Sequence, residues 1–154
     1  MIGIIADTHD NIPKIIRAVE IFKERDVELV LHLGDVIAPV TALYFKGLNI
    51  KFISGNCDGD IEMLKNKINE INGEFLGLNA ELEINNKKIF IIHKPEFNEI
   101  NRFDYVFHGH THKKKDEKIN NTRIINPGGL YSGNEENSIA ILDLDNDKLE
   151  FIDI

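Results

Sequence analysis

The first half of the chain alternates short apolar runs with amphipathic stretches. Ile2 to Ala6 is an unbroken apolar run ending at Asp7, the pattern of a strand buried on both faces. From Ile12 to Arg25 the positions Ile15, Ile16, Val19, Ile21 and Phe22 recur at helical spacing, with Pro13 in the first turn and Asn11 available as a cap. Glu28 to Leu33 reads as a second buried strand, Val40 to Lys46 as a short helix stopped at Gly47, and Ile50 to Ser54 as a third strand. Asp60 to Ile71 is again helical, with Ile61, Leu64, Ile68 and Ile71 on one face. This alternation predicts a parallel sheet with right-handed crossovers.

After Gly73 the pattern becomes mainly β. Ala80 to Ile84 and Lys88 to Ile92 flank Asn85 and Asn86 as a hairpin. Further strands are expected at Tyr105 to His108, Thr122 to Ile125, Ser138 to Leu142 and Leu149 to Ile152, with a turn at Asn146. A second sheet packed on the first is the economical arrangement, so the expected class is α/β. No repeat or linker marks a boundary, and residues 1–154 are expected to form one domain.

Composition narrows the function classes. Hydrophobic residues at 42% and charged residues at 29% are ordinary globular values, so neither disorder nor a coiled coil is needed to explain the composition. A net charge of -8 argues against non-specific attachment to DNA or anionic membrane, which needs a basic surface to displace counterions. If the substrate is an anion, something other than side chains must attract it. The single cysteine, Cys57, excludes an internal disulfide and fits a reducing compartment. Without a basic leader or a run long enough to span a bilayer, cytoplasmic residence is the expectation.

Candidate chemistry collects at strand ends. The first strand runs into Asp7 and His9, the second into Asp35, the third into Asn56. In the second half, one strand runs into His93 and another into His108, His110 and His112. Ligands in open α/β sheets gather at the carboxyl ends of strands, so these residues should converge. Asp7 and His9, and His110 and His112, are two apart and on extended backbone would project to the same side. Gly34, Gly55 and Gly109 precede Asp35, Asn56 and His110, as expected where backbone turns tightly or approaches an ion. Carboxylate, imidazole and amide together suit borderline divalent metals.

The ordered set DxH (Asp7, His9), GD (Gly34, Asp35), GN (Gly55, Asn56), a strand-end histidine (His93) and GHTH (Gly109 to His112) resembles the calcineurin-like metallophosphoesterases. GNCD at 55–58 and NPGG at 126–129 look most like their small bacterial and archaeal phosphodiesterase branch. The resemblance implies two mixed sheets flanked by helices. It implies one metal held by Asp7, His9, Asp35 and His112, and another by Asp35, Asn56, His93 and His110, with Asp35 bridging. Two such ions, drawn from Mn²⁺, Ni²⁺, Fe²⁺ or Zn²⁺ and about 4 Å apart, would activate a bridging water for in-line attack on phosphorus. Two carboxylates against four positive charges leave the pocket cationic, so the metals would attract the anion.

The resemblance also implies a small phosphate-ester substrate, nucleic acid only as substrate, no membrane partner and a possible homodimer. The alternative is a scaffold, since a eukaryotic retromer subunit retains a similar fold with degraded catalytic capacity. Many relatives carry a histidine after the metal-binding asparagine, where this chain has Cys57. A thiol is a weak donor to a leaving oxygen, and a partly buried cysteine with no catalytic part is the plainer reading. Asp58 is a candidate acid or base, or a residue shaping the loop or capping a helix. The other polar residues have structural readings: His32 as a satisfied core histidine, His108 as support, Asn126 and Gly128 as turn residues. Lys113, Lys114 and Lys115 read as a solvated loop, or as a contact to substrate phosphate.

Overall fold

A computed structural model of the protein describes residues 1–95, 100–133 and 136–154. β1 (Ile2–Ile5), β2 (Leu29–His32), β3 (Ile50–Phe52) and β4 (Glu74–Phe75) run parallel and adjacent in chain order. They are joined by α1 (Ile12–Glu24), a 3₁₀ helix (Pro39–Phe45) and α2 (Ile61–Glu70). The second sheet has the hairpin β5 (Asn79–Ile84) and β6 (Lys87–Ile92), then β7 (Tyr105–His108), β8 (Lys114–Ile119) and β9 (Thr122–Pro127), in the order β5-β6-β7-β9-β8. β10 (Ser138–Asp143) and β11 (Lys148–Asp153) return to the first sheet, β10 antiparallel to β1. Both sheets are therefore mixed, as the resemblance implied.

Strand alternation explains the layers. Ile2 and Ile4 of β1 and Leu31 of β2 face the second sheet, packing with Ile89, Ile91, Phe107 and Ile125. Ile5 and Val30 face the other way, into a core with Ile15, Phe22, Phe45, Leu64 and Ile68 from the helical connections. These strands are buried on both faces, hence their unbroken apolar runs. A third cluster, with Val106, Ile124 and Phe103, covers the outer face of the second sheet, against Ile100 of a short 3₁₀ turn (Ile100–Arg102). Asn85 and Asn86, both with positive φ, form the hairpin turn expected of them.

Several expectations change. Val40 to Lys46 is 3₁₀ rather than α. Asn11 does not cap α1 with its side chain; its amide donates to the Leu130 carbonyl at 2.6 Å, tying the helix start to the segment after β9. Ile61 lies 40% exposed, off the buried face of α2. Lys114 and Lys115 belong to β8, antiparallel to β9, and not to a loop. β8 is a charged edge strand with no apolar alternation, a device that discourages edge-to-edge pairing and hides a strand from periodicity.

Candidate metal centre

The carboxyl ends of β1, β2, β3, β6 and β7 deliver the candidate ligands to one end of the sandwich. Hydrogen bonds beyond the strands fix the loops: Asp7 N–H to the Gly34 carbonyl, His9 N–H to the Asp35 carbonyl, and Gly109 N–H to the His93 carbonyl, each 3.0 Å. The expected extended geometry is absent. Asp7, His9, Asp35, His110 and His112 all adopt positive φ, between 41° and 67°. The paired residues therefore reach one site through turns and not through the strand pleat. Glycine is needed beside them for space: a Cβ on Gly55 would lie 2.1 Å from Asp35 Oδ1, and one on Gly109 would lie 2.8 Å from Asp7 Oδ2.

Asp7, His9, Asp35 and His112 each present one ligand atom, and these atoms lie within 4.8 Å of one another. Each carboxylate is tied to backbone, and the His110 amide is shared by both Asp7 oxygens, with Oδ1 the longer at 3.2 Å. Asp7 Oδ2 accepts from His110 N–H at 2.9 Å, and Asp35 Oδ1 accepts from Cys57 N–H at 2.9 Å. The other oxygens face imidazoles: Asp7 Oδ1 is 3.3 Å from His112 Nε2, while Asp35 Oδ2 is 3.5 Å from His9 Nε2 and 3.4 Å from His93 Nε2. Asp35 Oδ2 thus stands between two groups. The second gathers His93, whose Nε2 is 3.0 Å from Asn56 Oδ1, and His110, whose ring centre is 5.2 Å from that of His93. His93 Nδ1 lies 2.8 Å from the Leu33 carbonyl, so Nδ1 carries the proton donated there and Nε2 is aimed inward.

Electrostatics follow from these contacts. Burial alone would push the Asp35 carboxyl up, but bonds from His93 and the Cys57 amide hold it well below the usual carboxylate range. Burial likewise lowers His93, and Asp35 and Asp7 more than compensate, leaving it raised. His112 is raised chiefly by its contact with Asp7. His9 Nε2 is buried with no hydrogen-bond partner. His9 Nε2, 3.5 Å from Asp35 Oδ2, is an inward nitrogen that a cation shared with the carboxylates would satisfy, and the nitrogen and oxygen donors suit a borderline divalent metal.

Around these residues lies a set of braces. Asp58 accepts from three backbone amides, Asp35 and Gly55 through Oδ2 at 3.0 and 2.7 Å and Ile37 through Oδ1 at 2.8 Å. Its carboxylate shapes the loop, and the cap of α2 is Asp60. His32 is fully buried; its Nδ1 accepts from Gly34 N–H at 3.2 Å, so Nε2–H donates to Thr8 Oγ1 at 3.1 Å. Burial and the nearby His93 push His32 down to about 3, so it is neutral, as a core histidine should be. His108 is buried, with Nδ1 3.0 Å from the Gly109 carbonyl and 3.3 Å from Asn126 Nδ2, a supporting position beneath the loop that carries His110. Asn126 does more than turn the chain: its amide donates to the Gly109 carbonyl and Thr111 Oγ1, bracing the loop that carries His110 and His112.

Cys57 is exposed rather than packed away, with Asn56 Nδ2 3.2 Å from its sulfur. Partial desolvation and its bond to Asp35 push the thiol up to about 11. Lys114 pairs with Asp153 at 2.5 Å and Lys115 with Glu117 at 2.8 Å. Sequence reasoning missed Asp10, which accepts from Ala38 N–H and Thr41 Oγ1, and Tyr131, whose ring lies 5.1 Å from that of His9. The acidic residue directly after DxH was the available signal for Asp10; nothing periodic marks Tyr131.

The profile of the calcineurin-like phosphoesterase superfamily domain matches residues 1–147. The chain belongs to that superfamily. The chain is 36% identical over 136 residues to the phosphodiesterase MJ0936 of Methanocaldococcus jannaschii, covering 82% of each. A solved archaeal phosphodiesterase superposes with a TM-score of 0.90 at 32% identity, covering 99% of both chains. The Escherichia coli phosphoesterase Yfce shares the fold at 18% identity, with a TM-score of 0.75 and 98% and 97% of the two chains covered. So does zinc-bound Vps29 of Entamoeba histolytica, at 19% identity and a TM-score of 0.67, covering 99% and 98%. As a calcineurin-like phosphoesterase this chain is a hydrolase of phosphoric esters, and the family works with divalent metals. Among the described residues, no helix is long and apolar enough to cross a membrane.

Proposed function

We propose that the chain is a dinuclear metal-dependent phosphodiesterase whose two metal positions share Asp35. The observation that carries this reading is the placement of Asp35 Oδ2, 3.5 Å from His9 Nε2 and 3.4 Å from His93 Nε2. Asp7, His9, Asp35 and His112 would hold one ion, and Asp35, Asn56, His93 and His110 the other. When bound, the ions supply Lewis acidity toward phosphoryl oxygens and a water ionised near neutral pH. The chain's own part is positioning. Backbone amides of His110 and Cys57 fix the two carboxylates, and the Leu33 carbonyl fixes the tautomer of His93. Two carboxylates under-neutralise two divalent ions, so the loaded pocket is cationic within a chain of net charge -8.

Diesters are favoured over monoesters by the likeness to MJ0936, which is named a phosphodiesterase. The substrate is read as a small phosphate ester, as membership of the phosphoesterase family suggests. Cys57, beside Asn56, would offer only a weak donor to the leaving oxygen.

The test is a screen of phosphomonoesters and diesters with Mn²⁺, Ni²⁺, Fe²⁺ or Zn²⁺ added to metal-stripped protein. Diester hydrolysis that returns with metal, and is lost together with bound metal in Asp35→Asn, supports the proposal. Full activity in the metal-free protein refutes it. Metal binding without hydrolysis of any ester would instead favour the scaffold reading.

A further inference from the structure

Beside the candidate centre stands a side chain that none of the hydrolytic chemistry uses. Tyr131 follows Leu130, whose N–H donates to the Asp7 carbonyl at 3.0 Å, so its backbone is tied to the loop that bears Asp7 and His9. Its ring meets His9 at 5.1 Å and His112 at 5.6 Å between ring centres, inclined by 61° and 53°. Gly133 lies against the ring, since a Cβ there would fall 2.6 Å from Tyr131 Cε1. The ring is thus held from two sides, yet Tyr131 remains 44% exposed. The open ring face beside two inward-facing imidazoles is a stacking surface at the edge of the candidate centre.

The opposite flank has its own surface. Next to Asn56 and His93 lies a groove of about 230 Å³ lined also by Leu78, Ile92 and Lys94, with Leu78 74% exposed. A phosphodiester has two organic arms, and in-line displacement places one of them away from the attacking side. The candidate centre is bordered by an aromatic ring on the His9 and His112 side and by an apolar groove on the Asn56 and His93 side.

Resting on the phosphodiesterase reading above, we propose that Tyr131 is a specificity residue: it stacks on a planar ring carried by one arm of the substrate. The ring is an aryl group or a nucleobase, and the Leu78 groove receives the other arm. Stacking on an aromatic side chain tolerates any base and is lost on truncation to alanine.

The test is equilibrium binding by calorimetry to the manganese-loaded protein, using two matched ligand pairs. Phenylphosphonate against methylphosphonate isolates an aryl ring, and adenosine 5′-monophosphate against ribose 5-phosphate isolates a base. With wild type and Tyr131→Phe, the ring-bearing member of at least one pair should bind roughly five- to tenfold more tightly. With Tyr131→Ala that preference should vanish while the ring-free ligands keep their affinity. Whichever pair shows the preference names the ring. The inference is overturned by equal affinities within both pairs in wild type, or by a preference that survives in Tyr131→Ala. It is overturned also if Tyr131→Ala weakens ring-free and ring-bearing ligands alike, because Tyr131 would then act only by supporting His9 and His112. A protein that shows the ring preference but hydrolyses no diester leaves Tyr131 as assigned and removes the phosphodiesterase reading instead.

Discussion

Replacing Asp58 should unsettle the candidate centre without removing any group that would touch metal or substrate. Its carboxylate accepts from the amides of Asp35, Ile37 and Gly55, so one side chain joins the turn after β2 to the turn after β3. Hydrogen bonds to a charged group contribute about 1.5–3 kcal/mol each, and partial exposure here argues for the low end, giving about 4.5 kcal/mol for three. One strained residue offsets part of this. Ile37 is β-branched and held at φ 83°, where its amide meets Asp58, and releasing it returns about 1 kcal/mol. Asp58→Ala should therefore destabilise the metal-free protein by about 3.5 kcal/mol. Asp58→Asn keeps an acceptor for two of the amides but sets an NH₂ or a mismatched contact against the third, and should lose about 2 kcal/mol. Urea denaturation at pH 7 gives both values. Metal affinity should fall in the same order, because the amide of Asp35 is one of those released. At saturating metal the pH dependence of kcat should be unchanged. If Asp58→Asn leaves stability and metal affinity intact but removes one limb of the kcat profile, the residue is an acid or base after all.

Other outcomes follow from the same contacts. His32 is held near 3 in the fold against about 6.5 unfolded, so the unfolded chain takes up the proton first and stability is lost as pH falls below 6.5. Between pH 6 and 4.5 this residue alone should remove about 2 kcal/mol from the metal-free protein, and denaturation of His32→Gln should show a correspondingly flatter pH slope; an unchanged slope would contradict the assignment. Gly55→Ala places a Cβ 2.1 Å from Asp35 Oδ1, so metal content measured after loading should fall at least tenfold while the far-ultraviolet spectrum is retained. Lys114→Ala with Lys115→Ala removes ion pairs at the edge of β8 and should leave KM for a diester within twofold of wild type; a large rise would mean that these lysines reach substrate. In a series of aryl diesters, Cys57→His should flatten the dependence of rate on leaving-group acidity, and an identical dependence would show that this position takes no part.

What was legible in the sequence divides by physical cause. β1 and β2 are buried on both faces, so they print as apolar runs whose ends can be read to within a residue or two. Ligand-type side chains directly follow those runs, so Asp7, His9 and Asp35 stand out in the sequence at the ends of the strands that bring them together. β8 was not legible, because a charged edge strand carries no alternation, and its partner β9 alone determines that it pairs. β4 is two residues long and is a strand only by its pairing with β3. The bracing role of Asp58 was equally hidden, since two of its three partners, Asp35 and Ile37, lie more than twenty residues earlier.

The paired histidines and aspartates converge in the structure, but by a geometry other than the strand pleat that their spacing predicts. On a pleated strand, two-residue spacing would set Asp7 beside His9, and His110 beside His112, on one face. All four are left-handed, as is Asp35. Such a conformation is unfavourable for any residue with a Cβ, by an amount on the order of 1 kcal/mol, though less so for Asp and His than for β-branched residues. It persists because tertiary hydrogen bonds over-determine it. Asp7 and His9 are tied by their amides to the turn carrying Asp35, and the His110 amide is tied to the Asp7 carboxylate. Asp7, His9, Asp35 and His110 are thus each held by a loop that bears another of them. The inward aim of these side chains is consequently a property of the folded chain, set by backbone contacts between loops, and a bound metal would need to do little to arrange them.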